Sequence, residues 1–70
     1  MDIRELRRPL RVSQQELAAR SGLGRFRLYS IEHGYAVATA KEERRIRQAL
    51  LEIARQRSVN LHAQLQQPGT

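Results

Sequence analysis

The chain has 70 residues, of which 13 are basic and 7 acidic, so its formal net charge is +6. A chain this short forms one domain, and its stability is marginal because a small domain buries little surface. It has no cysteine and only two histidines, which excludes disulfide bonds and a thiolate zinc site. All the basic residues except Lys41 are arginine. Genome composition also explains that bias, but the excess positive charge favours a polyanionic partner.

Several other classes of protein are excluded by the sequence. No apolar run approaches the roughly 20 residues of a membrane span, and the N-terminus opens on Asp2 and charged helix formers rather than a signal peptide. We therefore expect a cytoplasmic protein without a membrane partner. Ser13 and Ser30 have no base at triad spacing, and carboxylate pairs, phosphate-binding loops and metal-ligand sets are lacking. The sequence thus predicts no enzyme, no cofactor and no small-molecule ligand.

The first predicted helix covers residues 2–8. Asp2 can cap its start, and Pro9 should end it near Arg8. Ile3 and Leu6 fall on one side of this helix, and Leu10, just beyond its predicted end, follows at similar spacing. We expect that side to face the core.

Two short helices and a tight turn follow. The run from Ser13 to Glu16 is a capping box that starts the second helix, and Gly22 supplies a left-handed residue at its end. The third helix should begin at Gly24 or Arg25 and end at His33, with Gly34 closing it and residues 32–38 forming a loop.

Thr39 to Glu42 is a second capping box, which predicts the start of a long fourth helix. Its apolar stripe comprises Ile46, Ala49, Leu50 and Ile53. Residues 58–60 either break this helix, with Asn60 capping a fifth, or the helix continues to about Gln67. We divide the chain into one helical domain over 1–57, a helical extension over 58–67 and a frayed tail over 68–70.

Residues 14–33 carry the most informative pattern. Two short helices joined by a glycine turn need a small residue at their crossing, apolar residues on both sides of the turn and an inward pair on the second helix. The chain supplies all of these, as Ala18, Leu17, Leu23, Gly22, Leu28 and Ile31.

This pattern resembles the helix-turn-helix of the phage Cro and C1 repressor family, also called the XRE family. Residues 13–34 match it without a gap, and the wider likeness covers about residues 2–53. The resemblance implies an all-α, lambda-repressor-like DNA-binding domain of four to five short helices. The chain departs from the family at Arg11, where glycine is usual, at the buried position of Ser21, at Pro9, and at Glu43 and Arg44, where leucines are usual.

The resemblance also implies roles for individual residues. Arg25 stands where the family places a base-reading side chain, and its fork suits guanine O6 and N7. Helical geometry turns Phe26, Tyr29 and Ser30 outward on the same helix, although one of the two aromatic rings could instead pack under the first helix or the 34–38 loop. The residues that we expect to hold phosphates are Gln14, Arg27, Arg11 and Arg44, and those that match a structural ion pair of the family are Arg7 and Glu32.

The function implied is a transcriptional regulator that binds double-stranded DNA, typically a repressor that binds a palindromic operator as a homodimer. An antitoxin-like module, whose main partner is a toxin protein and whose DNA binding is secondary, is the alternative. An RNA-binding role lacks a stacking platform or glycine-rich clamp. The apolar residues Ile53, Val59, Leu61 and Leu65 predict a dimer surface over residues 53–65, unless this segment folds back on its own core.

Overall fold

The computed structural model describes the backbone of residues 2–65 and the side chains of residues 2–58. Four helices make up this part of the chain: α1 (Ile3–Leu10), α2 (Gln14–Ser21), α3 (Arg25–Glu32) and α4 (Ala40–Leu65). The predicted all-α class is confirmed, with four helices. The predicted tail over 68–70 and the last two residues of the 58–67 extension lie outside the described residues. None of the described helices combines the length and the apolar character needed to cross a bilayer.

The first helix is longer than the sequence predicted. The Asp2 carboxylate accepts a hydrogen bond from the Glu5 amide at 3.2 Å, as expected of an N-cap. Pro9 does not end the helix near Arg8, because α1 continues to Leu10. Proline has no amide hydrogen, so α1 lacks the bond that residue 9 would donate to the Glu5 carbonyl, and the helix ends at the next residue.

The end of α1 is closed by a residue in the left-handed region. Arg11 has φ 55° and ψ 38°, and it is the only non-glycine residue of the described chain with positive φ. Its amide donates to the Arg8 carbonyl at 3.0 Å, and the Val12 amide donates to the Arg7 carbonyl at 3.2 Å. Glycine adopts this conformation without the steric cost that a Cβ brings, which explains why the family usually has glycine here.

The turn between α2 and α3 is built as predicted. Gly22 has φ 76° directly after Ser21. At the start of α2, Ser13 Oγ accepts from the Glu16 amide at 3.0 Å, but the Glu16 carboxylate pairs with Arg57, so only half of the predicted capping box forms. Ser21, buried where an apolar residue is usual, donates through Oγ to the Ala18 carbonyl at 3.3 Å. The hydroxyl is therefore satisfied inside the core, which removes most of the penalty of burying it.

The core is entirely aliphatic. The predicted inward residues of α2 and α4 are buried in it, as is Leu28 of α3, whereas Ile31 of α3 is only half-buried. Leu6 is 47% exposed, so the prediction that it faces the core is wrong. The buried apolar residues of the core are Ile3, Val12, Leu17, Ala18, Leu23, Leu28, Ile46, Ala49, Leu50 and Ile53, with Leu10 and Ile31 packed against them.

Helix α4 runs without a break through residues 58–60, which decides between the two alternatives left by the sequence. It begins with a reciprocal capping box: Thr39 Oγ1 accepts from the Glu42 amide at 3.1 Å, and Glu42 Oε1 accepts from the Thr39 amide at 2.9 Å. Ile53 is 2% exposed. Its inclusion in a dimer surface was therefore wrong, because its side chain already fills the core of its own chain. The side chains of Val59, Leu61 and Leu65 lie outside the described ones.

Candidate nucleic-acid interface

One side of α3 presents a polar and aromatic face to solvent. Arg25 is exposed and Phe26 is 81% exposed, although a phenylalanine normally belongs in a core. Gln14, Arg25, Phe26 and Tyr29 line an open groove of about 600 Å³ between the start of α2 and α3. Four side chains that the sequence assigned to bases or phosphates are thus brought together, and we call this surface the α3 groove.

Tyr29 lies at the border of this face and packs against other rings. Its ring centroid is 4.1 Å from that of His33 and 6.3 Å from that of Tyr35, and Tyr29 remains 40% exposed. Contact between Tyr29 and the 34–38 loop was one of the alternatives left open by the sequence. The ring of His33 was not predicted to take part, although its spacing of four residues from Tyr29 is the signal for such a contact.

Ser30 is half-buried rather than fully outward. Its carbonyl accepts hydrogen bonds from the amides of Tyr35 at 2.8 Å and Ala36 at 3.1 Å. The residue therefore holds the loop that follows Gly34 against the end of α3.

A buried carboxylate fixes the position of α3 relative to the two helices before it. The side chain of Glu32 is 0% exposed, and its Oε1 accepts from Arg7 Nε at 2.7 Å. Its Oε2 accepts from Arg7 Nη2 at 3.3 Å and from Gln14 Nε2. Arg7 also donates through Nη1 to the Val12 carbonyl at 2.9 Å. The ion pair therefore joins α1, the turn after it, α2 and the end of α3.

Arg27 has a partner that the sequence did not predict. Its Nε and Nη2 donate to the two carboxylate oxygens of Glu42, both at 2.8 Å, and Nη2 also donates to the Val37 carbonyl at 3.2 Å. The hydrogen bonds from Arg27 and from the Thr39 amide lower the pKa of Glu42 to about 2. Arg27 thereby ties α3 to the loop and to the first turn of α4.

The two remaining predicted phosphate residues lie elsewhere. Arg11 is exposed at the end of α1. Arg44 is exposed on α4, in a second groove of about 470 Å³ between α2 and α4 whose basic lining comprises Arg20, Lys41, Arg44 and Arg45. This groove shares no lining residue with the α3 groove. The structure therefore does not group Arg44 with Gln14 and Arg25.

The comparison with protein families agrees with this geometry. A helix-turn-helix family model matches residues 3–50, which is more than half of the chain. The chain belongs to the Cro/C1-type (XRE) helix-turn-helix family. This helix-turn-helix protein is accordingly a DNA-binding transcriptional regulator in the general sense, and α2 and α3 form its motif. Comparison with curated proteins and with solved structures gives no match.

Proposed function

We propose that this regulator is a repressor that binds a palindromic operator in cytoplasmic DNA as a homodimer, with α3 in the major groove. The observation that carries the proposal is the exposed pair Arg25 and Phe26 at the start of α3. The described core is aliphatic and does not include Phe26. A role in packing the core therefore does not explain this residue. An adjacent arginine and phenylalanine on a helix of major-groove size suit the edges of base pairs.

The proposed base contacts follow from the order of residues on this face. Arg25 is at the first position of α3, where its two parallel donors can address O6 and N7 of a guanine. Phe26 offers an apolar ring to a thymine methyl group. Tyr29 lies one turn further along, and half-buried Ser30 contributes only through the part of its side chain that solvent reaches.

The proposed phosphate contacts are made around this face. Gln14 lies at the first position of α2, where backbone amides of a helix start favour an anion. Because its Nε2 is bonded to Glu32, Gln14 offers a phosphate its backbone amide in addition to its second side-chain hydrogen. Arg27 contributes through Nη1 alone, since Nε and Nη2 hold Glu42. Arg11, exposed at the end of α1, and Arg44, in the separate α2–α4 groove, are further proposed phosphate contacts.

Selection of duplexes from a random pool tests this function. We expect recovery of a palindrome whose half-sites lie about one helical turn apart, roughly 34 Å, because two symmetric recognition helices enter successive major grooves. Failure to bind any duplex more tightly than random DNA at near-physiological salt would overturn the proposal. Stable capture of a toxin protein by a chain that selects no duplex would favour the antitoxin-like alternative instead.

A further inference from the structure

The α2–α4 groove, which the proposed base contacts do not use, is strongly basic. Its volume is about 470 Å³, and the one carboxylate that lines it is that of Glu52. The exposed basic side chains along it are Arg20 at the end of α2 and Lys41, Arg44 and Arg45 near the start of α4. Like charges held close together repel one another. An anionic partner would relieve this repulsion, and a cleft lined by one sign of charge attracts such a partner.

The chain does not neutralise these cations with its own carboxylates. All seven acidic residues of the sequence lie in the described part of the chain. The described ion pairs all use other arginines. They join Arg7 to Glu32, Arg27 to Glu42 and Arg57 to Glu16. The positive charge of the groove is therefore available to carboxylates or phosphates from another molecule.

Small side chains form the floor of this groove. Ser21 is 6% exposed and Ala49 is 2% exposed, whereas the cations that line the groove beside them are exposed. The Ser21 hydroxyl already donates to the Ala18 carbonyl. Gln48, which is exposed, adds a side-chain amide that can donate to a peptide carbonyl or a carboxylate. The groove thus combines a low apolar floor with polar sides.

This lining favours an acidic protein segment over nucleic acid. A DNA duplex is wider than the gap between two packed helices, whose axes generally lie about 8–10 Å apart, so its phosphates reach only the ends of the exposed side chains. Single-stranded nucleic acid is held largely by stacking on aromatic rings, and no aromatic residue lines this groove. A peptide with carboxylate side chains needs neither a wide surface nor a ring.

We infer that the α2–α4 groove binds an acidic segment of a partner protein. Lys41 and Arg45 are four residues apart on α4, which is about 6 Å along the helix axis. Carboxylates three or four residues apart on a helix have nearly the same separation, about 5–6 Å, so two of them on one side of a partner helix can meet both cations. Glu52, further along α4, repels a carboxylate and so limits the acidic stretch.

This inference goes beyond DNA binding. The α2–α4 groove and the α3 groove share no lining residue, so a protein bound here leaves the proposed base contacts open. Arg20, Lys41 and Arg45 have no part in the proposed DNA contacts. Arg44 does, and the experiments below leave it unchanged.

Lys41 allows a direct test because it is the only lysine in the chain. A carbodiimide joins a carboxylate to an amine in contact with it, forming an amide with loss of water. The probe is a synthetic alanine-based helical peptide, blocked at both ends, with glutamates three and four residues apart on one side. Peptide mapping by mass spectrometry should find it coupled to Lys41, at a yield that saturates with peptide concentration. The same peptide with glutamine for glutamate should not compete. Absence of coupling at Lys41 would overturn the inference.

The double variant Arg20→Gln with Arg45→Gln tests the other cations of the groove. By fluorescence anisotropy of the labelled peptide at near-physiological salt, its dissociation constant should rise about tenfold, because two exposed charge contacts are lost. Arg4→Gln with Arg55→Gln is the matched control. It changes the net charge equally at exposed positions outside the groove, and its effect should be far smaller. Equal losses for the two double variants would overturn the site, since general charge attraction would then explain the binding.

Duplex binding is measured separately on the same variants, after far-UV circular dichroism has verified that each is folded. The groove variant should select the same duplex as wild type, and this result does not depend on whether the selected duplex is a palindrome. A groove variant that keeps its peptide affinity and loses affinity for random duplex DNA would overturn the inference and make the groove a nucleic-acid surface.

Discussion

Gln14, the first residue of α2, donates a hydrogen bond through its side-chain amide to Oε2 of Glu32, the last residue of α3. The same carboxylate receives Arg7 from α1. The angle between the two helices of the motif is therefore set at the end far from the glycine turn. A displacement of α3 against α2 breaks at least one of these bonds.

Glu32→Ala should destabilise the fold strongly. The Glu32 carboxylate is fully buried and the Arg7 side chain is 18% exposed. Removal of the carboxylate therefore leaves the largely desolvated Arg7 guanidinium without its partner. We expect a loss of about 3 kcal/mol in the free energy of unfolding, at the lower end for breaking a buried pair. Urea denaturation measures it, and Glu5→Ala, an exposed change on α1, should cost far less. Equal costs for the two variants would refute the structural weight given to this pair.

Arg25→Ala should relax sequence preference without changing stability. The side chain is exposed, so the melting temperature should stay the same, while a lost guanine contact costs about 1–3 kcal/mol of specific binding. The measurement is the dissociation constant of wild type and of Arg25→Ala, each for the selected operator and for operators with one base pair changed. Arg55→Ala, also exposed and far along α4, controls for the lost charge. The base-reading role fails if Arg25→Ala weakens binding to all duplexes alike.

Arg11→Gly should stabilise the fold and lower the affinity for DNA. A Cβ in the left-handed region destabilises the folded state by about 1–2 kcal/mol. Glycine removes this strain, but its greater freedom in the unfolded chain offsets about 0.5–1 kcal/mol of the gain. The net gain, about 0.5–1 kcal/mol, should raise the melting temperature by roughly 2–8 °C in a domain of this size. Loss of one phosphate contact should flatten the salt slope of binding by about 0.9.

Arg11→Ala separates the two effects of this change. It removes the same guanidinium but keeps a Cβ at φ 55°, so it should weaken DNA binding without the gain in stability. A rise in melting temperature of the same size for Arg11→Ala would show that backbone strain is not the cause.

Glu42→Gln should remove part of the acid sensitivity of the fold. The pKa of Glu42 is lowered from 4.5 to about 2 by Arg27 and the Thr39 amide. Its ionised form therefore stabilises the native state fully above about pH 4.5, and this contribution is lost as the pH falls towards 2. Glutamine keeps an acceptor for the capping box but loses the charge. The melting temperatures of wild type and variant should differ at pH 7 and converge near pH 2, and a difference that stays the same over this range would contradict the role of the Glu42 charge.

The motif could be predicted from the sequence because its determinants are local. Gly22, the capping serine and the spacing of Leu17, Ala18 and Leu28 each act within a few residues, and all were found as expected. The course of α4 could not be predicted from residues 58–60, since serine, valine and asparagine lower helix propensity by only tenths of a kcal/mol each and do not by themselves end a helix.

Long-range partners were harder to predict than local ones. Glu16 was expected to complete the capping box at Ser13, but its carboxylate receives Arg57, which lies 41 residues later. Arg27 was expected on phosphate, and its ion pair with Glu42 was not predicted. With many arginines in the chain, spacing alone does not choose which of them a given carboxylate binds. Geometry between helices decides this, and only the structure provides it.

The placement of the aromatic residues has a practical consequence for spectroscopy. The chain has no tryptophan, and its only tyrosines are Tyr29 and Tyr35, whose rings lie 6.3 Å apart beside the α3 groove. Intrinsic fluorescence and near-ultraviolet dichroism therefore report on the end of α3 and the loop after it, and are blind to the aliphatic interior. Quenching by a bound duplex would need no label. A melting curve followed at these wavelengths would record unfolding of the end of α3 and the loop after it. Its midpoint would equal that of the helix signal in far-ultraviolet dichroism only if this region and the helices unfold together.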